Sequence, residues 1–314
     1  MAKIISFFVL CFPSLLWSNT FSFDSIFSLI PKDFTGQIVI KKEKEILFKE
    51  NFGPKERILG SQINDSTQFN IGEISHTIIY YFFENLFKQN QLKQTEYVNR
   101  FIKDFPFENI QIKHLLEHKS GLPNLYVKLY HRKVYNNWNL KLAERSVRFS
   151  NKDILDIITK KEIKLEFTPG DSMAYSDINY LILASLIEQI TGISFPNYTR
   201  KIFANQFLFQ PTISASTDSI FNKAFGYKKF QDSTFQLCDN LKSIGLPYND
   251  GTYGNQHIYF SALNLATWGQ FIFSKKNTAI KNNINKKEIL GGLKFDESFK
   301  TISKTGKFGG ITSK

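Results

Sequence analysis

Residues 74 to 87, ISHTIIYYFFENLF, carry apolar or aromatic side chains on nearly every face of a helix. A helix that is apolar all round cannot lie on a surface, so the rest of the chain must enclose it. The chain has the material to do so: its 314 residues, 42% hydrophobic and 22% charged, suffice for one large core or two modest subdomains.

The elements that could enclose this helix follow a clear order. GQIVIKK at 36 to 42 and EILFKENFG at 45 to 53 read as two strands joined by a charged turn at Glu43 and Lys44. Residues 110 to 209 alternate helical patterns with loops rich in Pro, Gly and Asn, and their clearest helix is Ile178 to Ile190. Ser176 or Asp177 can cap its start, and Gly192 stands just past its end. A further helix is expected over Ser261 to Phe273, and a short strand around Lys300 to Lys304. A strand pair, a helical middle and strands again point to an α+β fold of three layers, one antiparallel sheet flanked by helices with an inserted helical subdomain.

Residues 1 to 20 stand apart. Lys3 precedes an apolar run from Ile4 to Trp17, with small and polar residues after it, which is the pattern of a secretory signal peptide. The run contains Pro13 and is shorter than the roughly 20 residues a bilayer span needs, so no stable span is expected after cleavage. The expected location is periplasmic or secreted, and the expected domain is 21 to 314. Cys11 lies inside the leader and leaves Cys238 alone, so no disulfide framework can form. The net charge is +12. Its lysines are scattered among acids rather than gathered on one helix, so nucleic acid is not an expected partner.

Four stretches carry chemistry: FNIGEISHT at 69 to 77, IKHLLEHKSGLPN at 112 to 124, FTPGDSMAYSDINYLILASLIEQITG at 167 to 192, and SKTGKFGG at 303 to 310. Read in order, they resemble the serine β-lactamase and penicillin-binding-protein family, in the branch of class C β-lactamases, D-alanyl-D-alanine carboxypeptidases and related esterases. The first is similar to the segment that opens the buried helix with Ser-x-x-Lys, whose Ser attacks a carbonyl while the Lys, on the same helical face, moves the proton. Here Glu73 stands at the Ser position and His76 at the Lys position. Ser75 is no substitute, because two residues along a helix is about 200° of rotation.

The third stretch resembles the Tyr-x-Asn motif, with Tyr175 as the expected proton acceptor or donor and Asp177 in the Asn place. The fourth resembles the Lys-Thr-Gly strand, where Lys304, Thr305 and Gly306 would receive a substrate carboxylate and backbone. A supporting match, residues 254 to 273, has His257 where a Gly is usual and Asn264 where an Asp is usual. The second stretch also contains His114, Glu117 and His118, the HxxEH spacing of some zinc peptidases, but no third ligand is signalled and neither metal nor cofactor is expected.

The resemblance implies a serine-hydrolase-like envelope protein that has lost its covalent chemistry, with a peptide or peptidoglycan-derived ligand as its partner. The alternatives are an active peptidase or esterase working through Glu73 and His76, and a non-functional remnant. In such proteins two strands and a closing helix follow the Lys-Thr-Gly strand and lie between it and the N-terminal hairpin. With the sequence stopping at Lys314, the expectation is a C-terminally incomplete domain whose sheet is not joined across its middle.

Overall fold

The computed structural model describes residues 5–6, 8–11, 24–124, 150–160, 163–207, 209–214, 220–230, 234–237, 251–272, 274, 294–296, 301–303, 306–308 and 311–313. Its first half runs β1 (Ile5–Ser6), β2 (Phe8–Cys11), α1 (Asp24–Leu29), β3 (Gly36–Lys42), β4 (Glu45–Phe52), β5 (Phe69–Asn70), α2 (Ser75–Lys88), α3 (Ile112–Leu116) and α4 (Asn151–Lys160). There follow α5 (Asp177–Thr191), α6 (Phe195–Phe207), β6 (Thr212–Ile213), β7 (Tyr227–Lys229), β8 (Phe235–Leu237), β9 (Ile258–Phe260), α7 (Ala262–Ile272), β10 (Lys294–Asp296), β11 (Thr301–Ser303), β12 (Gly306–Phe308) and β13 (Ile311–Ser313).

The expected hairpin is β3 against β4, antiparallel, with Glu43 in the turn at φ +52°. Side chains of a strand alternate between faces, and β3 is apolar on both. Ile38 and Ile40 join Phe48 on one face, where Ile30, Phe34 and Phe52 pack and the Phe27 ring meets Phe48 edge to face at 5.4 Å. Val39 turns to the other face, against Ala262 and Ala266 of α7. A strand covered on both sides is the middle of three layers, as the sequence order implied.

Two short N-terminal strands add to the hairpin and to the last described strand. β2 pairs in parallel with β3, with Phe8 opposite Ile38 and Cys11 opposite Lys41. β1 pairs in parallel with β13, which pairs antiparallel with β12. β1, β13 and β12 form one three-stranded sheet, and β2, β3 and β4 form another.

The all-apolar helix is α2, and it is enclosed as predicted. Ile78, Ile79, Phe82 and Phe83 are each 0% exposed. Full burial of such a side chain contributes about 1.5–3 kcal/mol, which makes this helix a principal source of stability. α5 packs on α2, α3, α4 and α6, and their buried residues form one core with Ile213, Ile258 and Phe260 of β6 and β9. Among the described residues no single helix is long and apolar enough to cross a membrane.

Candidate functional site

The site forms where the start of α2, the start of α5 and the loop after α3 converge. A 3-10 turn, Gly72–Ile74, leads into α2 and carries Glu73. Its entry is set by Asn70, whose side-chain oxygen accepts the Gly72 N–H at 3.0 Å. Strand β12, which begins at Gly306, runs alongside this turn. Lys304 and Thr305 lie outside the described residues.

Two residues after the turn, His76 is fully buried. Its imidazole lies flat on the Tyr180 ring, centroids 3.7 Å and planes 11° apart. The Tyr175 ring stands 6.1 Å away at 28°. Ser75 points elsewhere, as its helical position predicts: its hydroxyl donates to the Gly254 carbonyl at 2.9 Å, and the residue is fully buried. That contact depends on Gly254, at φ +130°, where an added Cβ would stand 2.3 Å from the Tyr180 carbonyl oxygen.

The Tyr175–Asp177 segment is held by the loop after α3. Ser176 occupies the N-cap position of α5, yet its hydroxyl donates to the Pro123 carbonyl at 3.2 Å rather than capping the helix. The Ser176 N–H donates to His118 Nδ1 at 3.3 Å, and Asn179 Nδ2 approaches the same nitrogen at 3.1 Å. With Nδ1 accepting, the proton of a neutral His118 sits on Nε2. Ser120 donates to Asn179 Oδ1 at 2.6 Å and accepts from the Leu122 N–H at 3.1 Å. Gly121 permits the turn between them, because a Cβ there would stand 2.2 Å from the Phe167 carbonyl oxygen. The Ser-Gly-Leu-Pro loop is thus a bracket for the opening of α5.

The polarity of the site follows from these positions. Tyr175 is 46% exposed, and its hydroxyl donates to Asp177 Oδ1. Asn124 Nδ2 lies 3.4 Å from the other carboxylate oxygen of Asp177. Desolvation, followed by the charge of Asp177 and the hydrogen bond to it and by the charge of Glu73, pushes the phenol above its ordinary value. A phenol serves as proton acceptor only when neighbouring cations stabilise the phenolate. Among the described residues its charged neighbours are the carboxylates of Asp177 and Glu73, and toward Asp177 the hydroxyl acts as a donor.

The structure therefore gathers Glu73, His76, Tyr175 and Asp177, and adds His118 and Tyr180, which helical pattern alone does not distinguish from ordinary helix residues. His118 stands 5.7 Å from His76 and 4.7 Å from Tyr175, centroid to centroid. Its placement depends on φ +54° just past the end of α3, a bend that helical periodicity does not signal. The same bend separates the HxxEH residues. His114 Nδ1 accepts from the Gln111 N–H inside α3, His118 faces α5, and Glu117 pairs with Lys119 at 2.7 Å. Among the described residues no three His, Cys, Asp or Glu side chains are grouped as metal ligands.

Known proteins share this arrangement of elements. FmtA from Staphylococcus aureus superimposes with a TM-score of 0.69 at 17% identity, covering 92% of this chain and 78% of that one. The octameric penicillin-binding protein homologue from Pyrococcus abyssi gives 0.61 at 19%, covering 88% and 60%. In sequence, Penicillin-binding protein 4* of Bacillus subtilis (strain 168) is 25% identical over 247 residues, 76% of this chain and 52% of that protein. The chain thus spans about half the length of the curated relatives it matches. The Beta-lactamase family model matches residues 37–276, from the hairpin through α7, and so takes in the Glu73 turn, the Ser-Gly-Leu-Pro bracket and the start of α5. On that match, and on a fold shared with penicillin-binding proteins, the chain belongs to the β-lactamase family.

Proposed function

We propose that this chain is a catalytically silent member of its family, exported to the cell envelope, whose cleft binds a peptide or peptidoglycan-derived ligand without acylating itself. The observation that carries the reading is that Glu73 and His76 stand where the family has its Ser and Lys, with the Tyr175 hydroxyl donating to Asp177 beside Glu73. Acyl transfer of the family type needs a nucleophilic hydroxyl and a group to take its proton. Glu73 offers no hydroxyl, and the imidazole of His76 is packed on Tyr180 rather than projecting like a lysine. Ser75 and Ser120 are buried and donate to Gly254 and Asn179. In this reading Glu73, His76, Tyr175 and Asp177 keep the positions of a catalytic set and shape the cleft, with Lys304, Thr305 and Gly306 as the ligand-binding edge.

Export is supported by the leader-like residues 1 to 20 and by relatives whose names place them with penicillin-binding proteins. Hydrolysis of an activated ester tests the silent reading. The expected result is no turnover above the spontaneous rate. Turnover that disappears in Glu73→Gln would instead establish Glu73 as a nucleophile and overturn it.

A further inference from the structure

The large apolar side chains on the surface are not scattered evenly. Ile58 and Leu59 are 78% and 85% exposed, and Phe221 is 92% exposed. A lone exposed aliphatic residue is ordinary, but these three sit on two loops that the fold holds rigid.

The first loop, residues 54 to 62, is closed at its base by the Pro54–Gln62 bridge and by the Lys55 N–H donating to the Ser61 carbonyl. Inside it the buried Glu56 carboxylate accepts the backbone N–H groups of Ile58 and Leu59 and the Tyr227 hydroxyl. Arg57 lies 3.8 Å over the Phe235 ring, and one of its nitrogens donates to Thr35 at 3.1 Å. A buried carboxylate and an arginine are thus committed to holding up two aliphatic side chains that touch solvent.

The second loop carries Phe221 beside Asn222, a left-handed residue at φ +56°. Asn222 donates to Asn64 and Ser66, and it accepts from the Lys55 ammonium. The Phe225 N–H donates to the Lys55 carbonyl, so the two loops are laced together at Lys55.

Charge accompanies the apolar side chains. Lys55 and Arg57 belong to the first loop, and their hydrogen-bond partners, Asn222 and Thr35, are neutral. The chain as a whole carries +12. Rigid exposed aliphatic and aromatic side chains with basic residues beside them match a surface that is anionic outside and apolar beneath. We propose that Ile58, Leu59 and Phe221 dock the protein on an anionic phospholipid bilayer, inserting below the headgroups while Lys55 and Arg57 stay at their level.

Vesicles of equimolar phosphatidylglycerol and phosphatidylcholine, used with the full chain, test this. The apolar N-terminal segment can itself bind lipid, so the readout must be local to the loop. In Leu59→Trp, the added fluorescence measured against the parent protein should shift to the blue and be quenched by brominated acyl chains. The Ile58→Asn, Leu59→Asn, Phe221→Ser triple variant, changed only at exposed positions, should bind these vesicles about tenfold or more weakly. Binding of the parent should weaken with salt and on pure phosphatidylcholine. An introduced indole that stays in water while the Leu59→Trp protein sediments with vesicles would overturn the proposal. So would equal binding by the triple variant, or burial of that indole only when a second protein is added.

Discussion

His76 and Tyr180 form a parallel stack, 3.7 Å between centroids and 11° between planes, at the point where a lysine would reach across the cleft. The stack converts a proton-handling position into a packed one. An imidazole on a phenol ring buries both, and position 76 carries no ammonium.

If packing is the role of His76, a flat ring should replace it. His76→Phe is expected to keep the urea midpoint near that of the parent, whereas His76→Ala should lose about 3 kcal/mol through the cavity it leaves. His76→Lys should cost at least as much, because it buries a charge against two rings. A lysine variant as stable as the parent would contradict the packing role.

The enclosed helix gives the second prediction. Phe82 is 0% exposed and meets Tyr198 edge to face at 5.1 Å. Phe82→Ala should destabilise by about 3–5 kcal/mol in equilibrium unfolding, while truncation of the exposed Phe221 should change stability little.

Acid should act through Glu56. Its burial works against ionisation, but hydrogen bonds from Tyr227, Ile58 and Leu59 outweigh that and hold its carboxyl below the usual 4.5. A group depressed in the fold contributes stability that is present above its unfolded value and lost as pH falls through the folded one. Thermal stability should therefore drop below about pH 4.5, and Glu56→Gln, less stable at neutral pH, should flatten that acid limb. An unchanged acid limb in the variant would assign the drop to other carboxylates.

The N-terminal strands give a fourth prediction. β2 covers one edge of β3, and β1 covers one edge of β13. Compared with the precursor, the chain without residues 1 to 20, the form that export would leave, should show faster amide exchange along Ile38 to Lys41 and a greater tendency to aggregate, since an uncovered strand edge is a template for pairing. Equal exchange in both forms would show that these strands add no protection.

Much of this architecture is legible in the sequence because it rests on local pattern. The hairpin, α2, α5 and α7 stand within a residue or two of their predicted bounds, since each is marked by apolar periodicity, a cap or a turn. The departure at His257 also acquires a reason. Its backbone sits at φ +66°, where glycine is usual, and its Nδ1 lies 2.7 Å from the Thr252 carbonyl oxygen. What is not legible depends on contacts between distant segments. Nothing near His76 announces Tyr180 as its stacking partner, and nothing near Ser176 announces that its hydroxyl serves Pro123.

The claim that the cleft is chemically silent is tested most directly by incubating the purified protein with a fluorescent penicillin and locating any adduct by mass spectrometry. The account predicts an unlabelled chain, with labelling absent at every serine. A stoichiometric adduct on any serine would show that the chain still acylates, and the reading built on Glu73 and Tyr175 would be wrong.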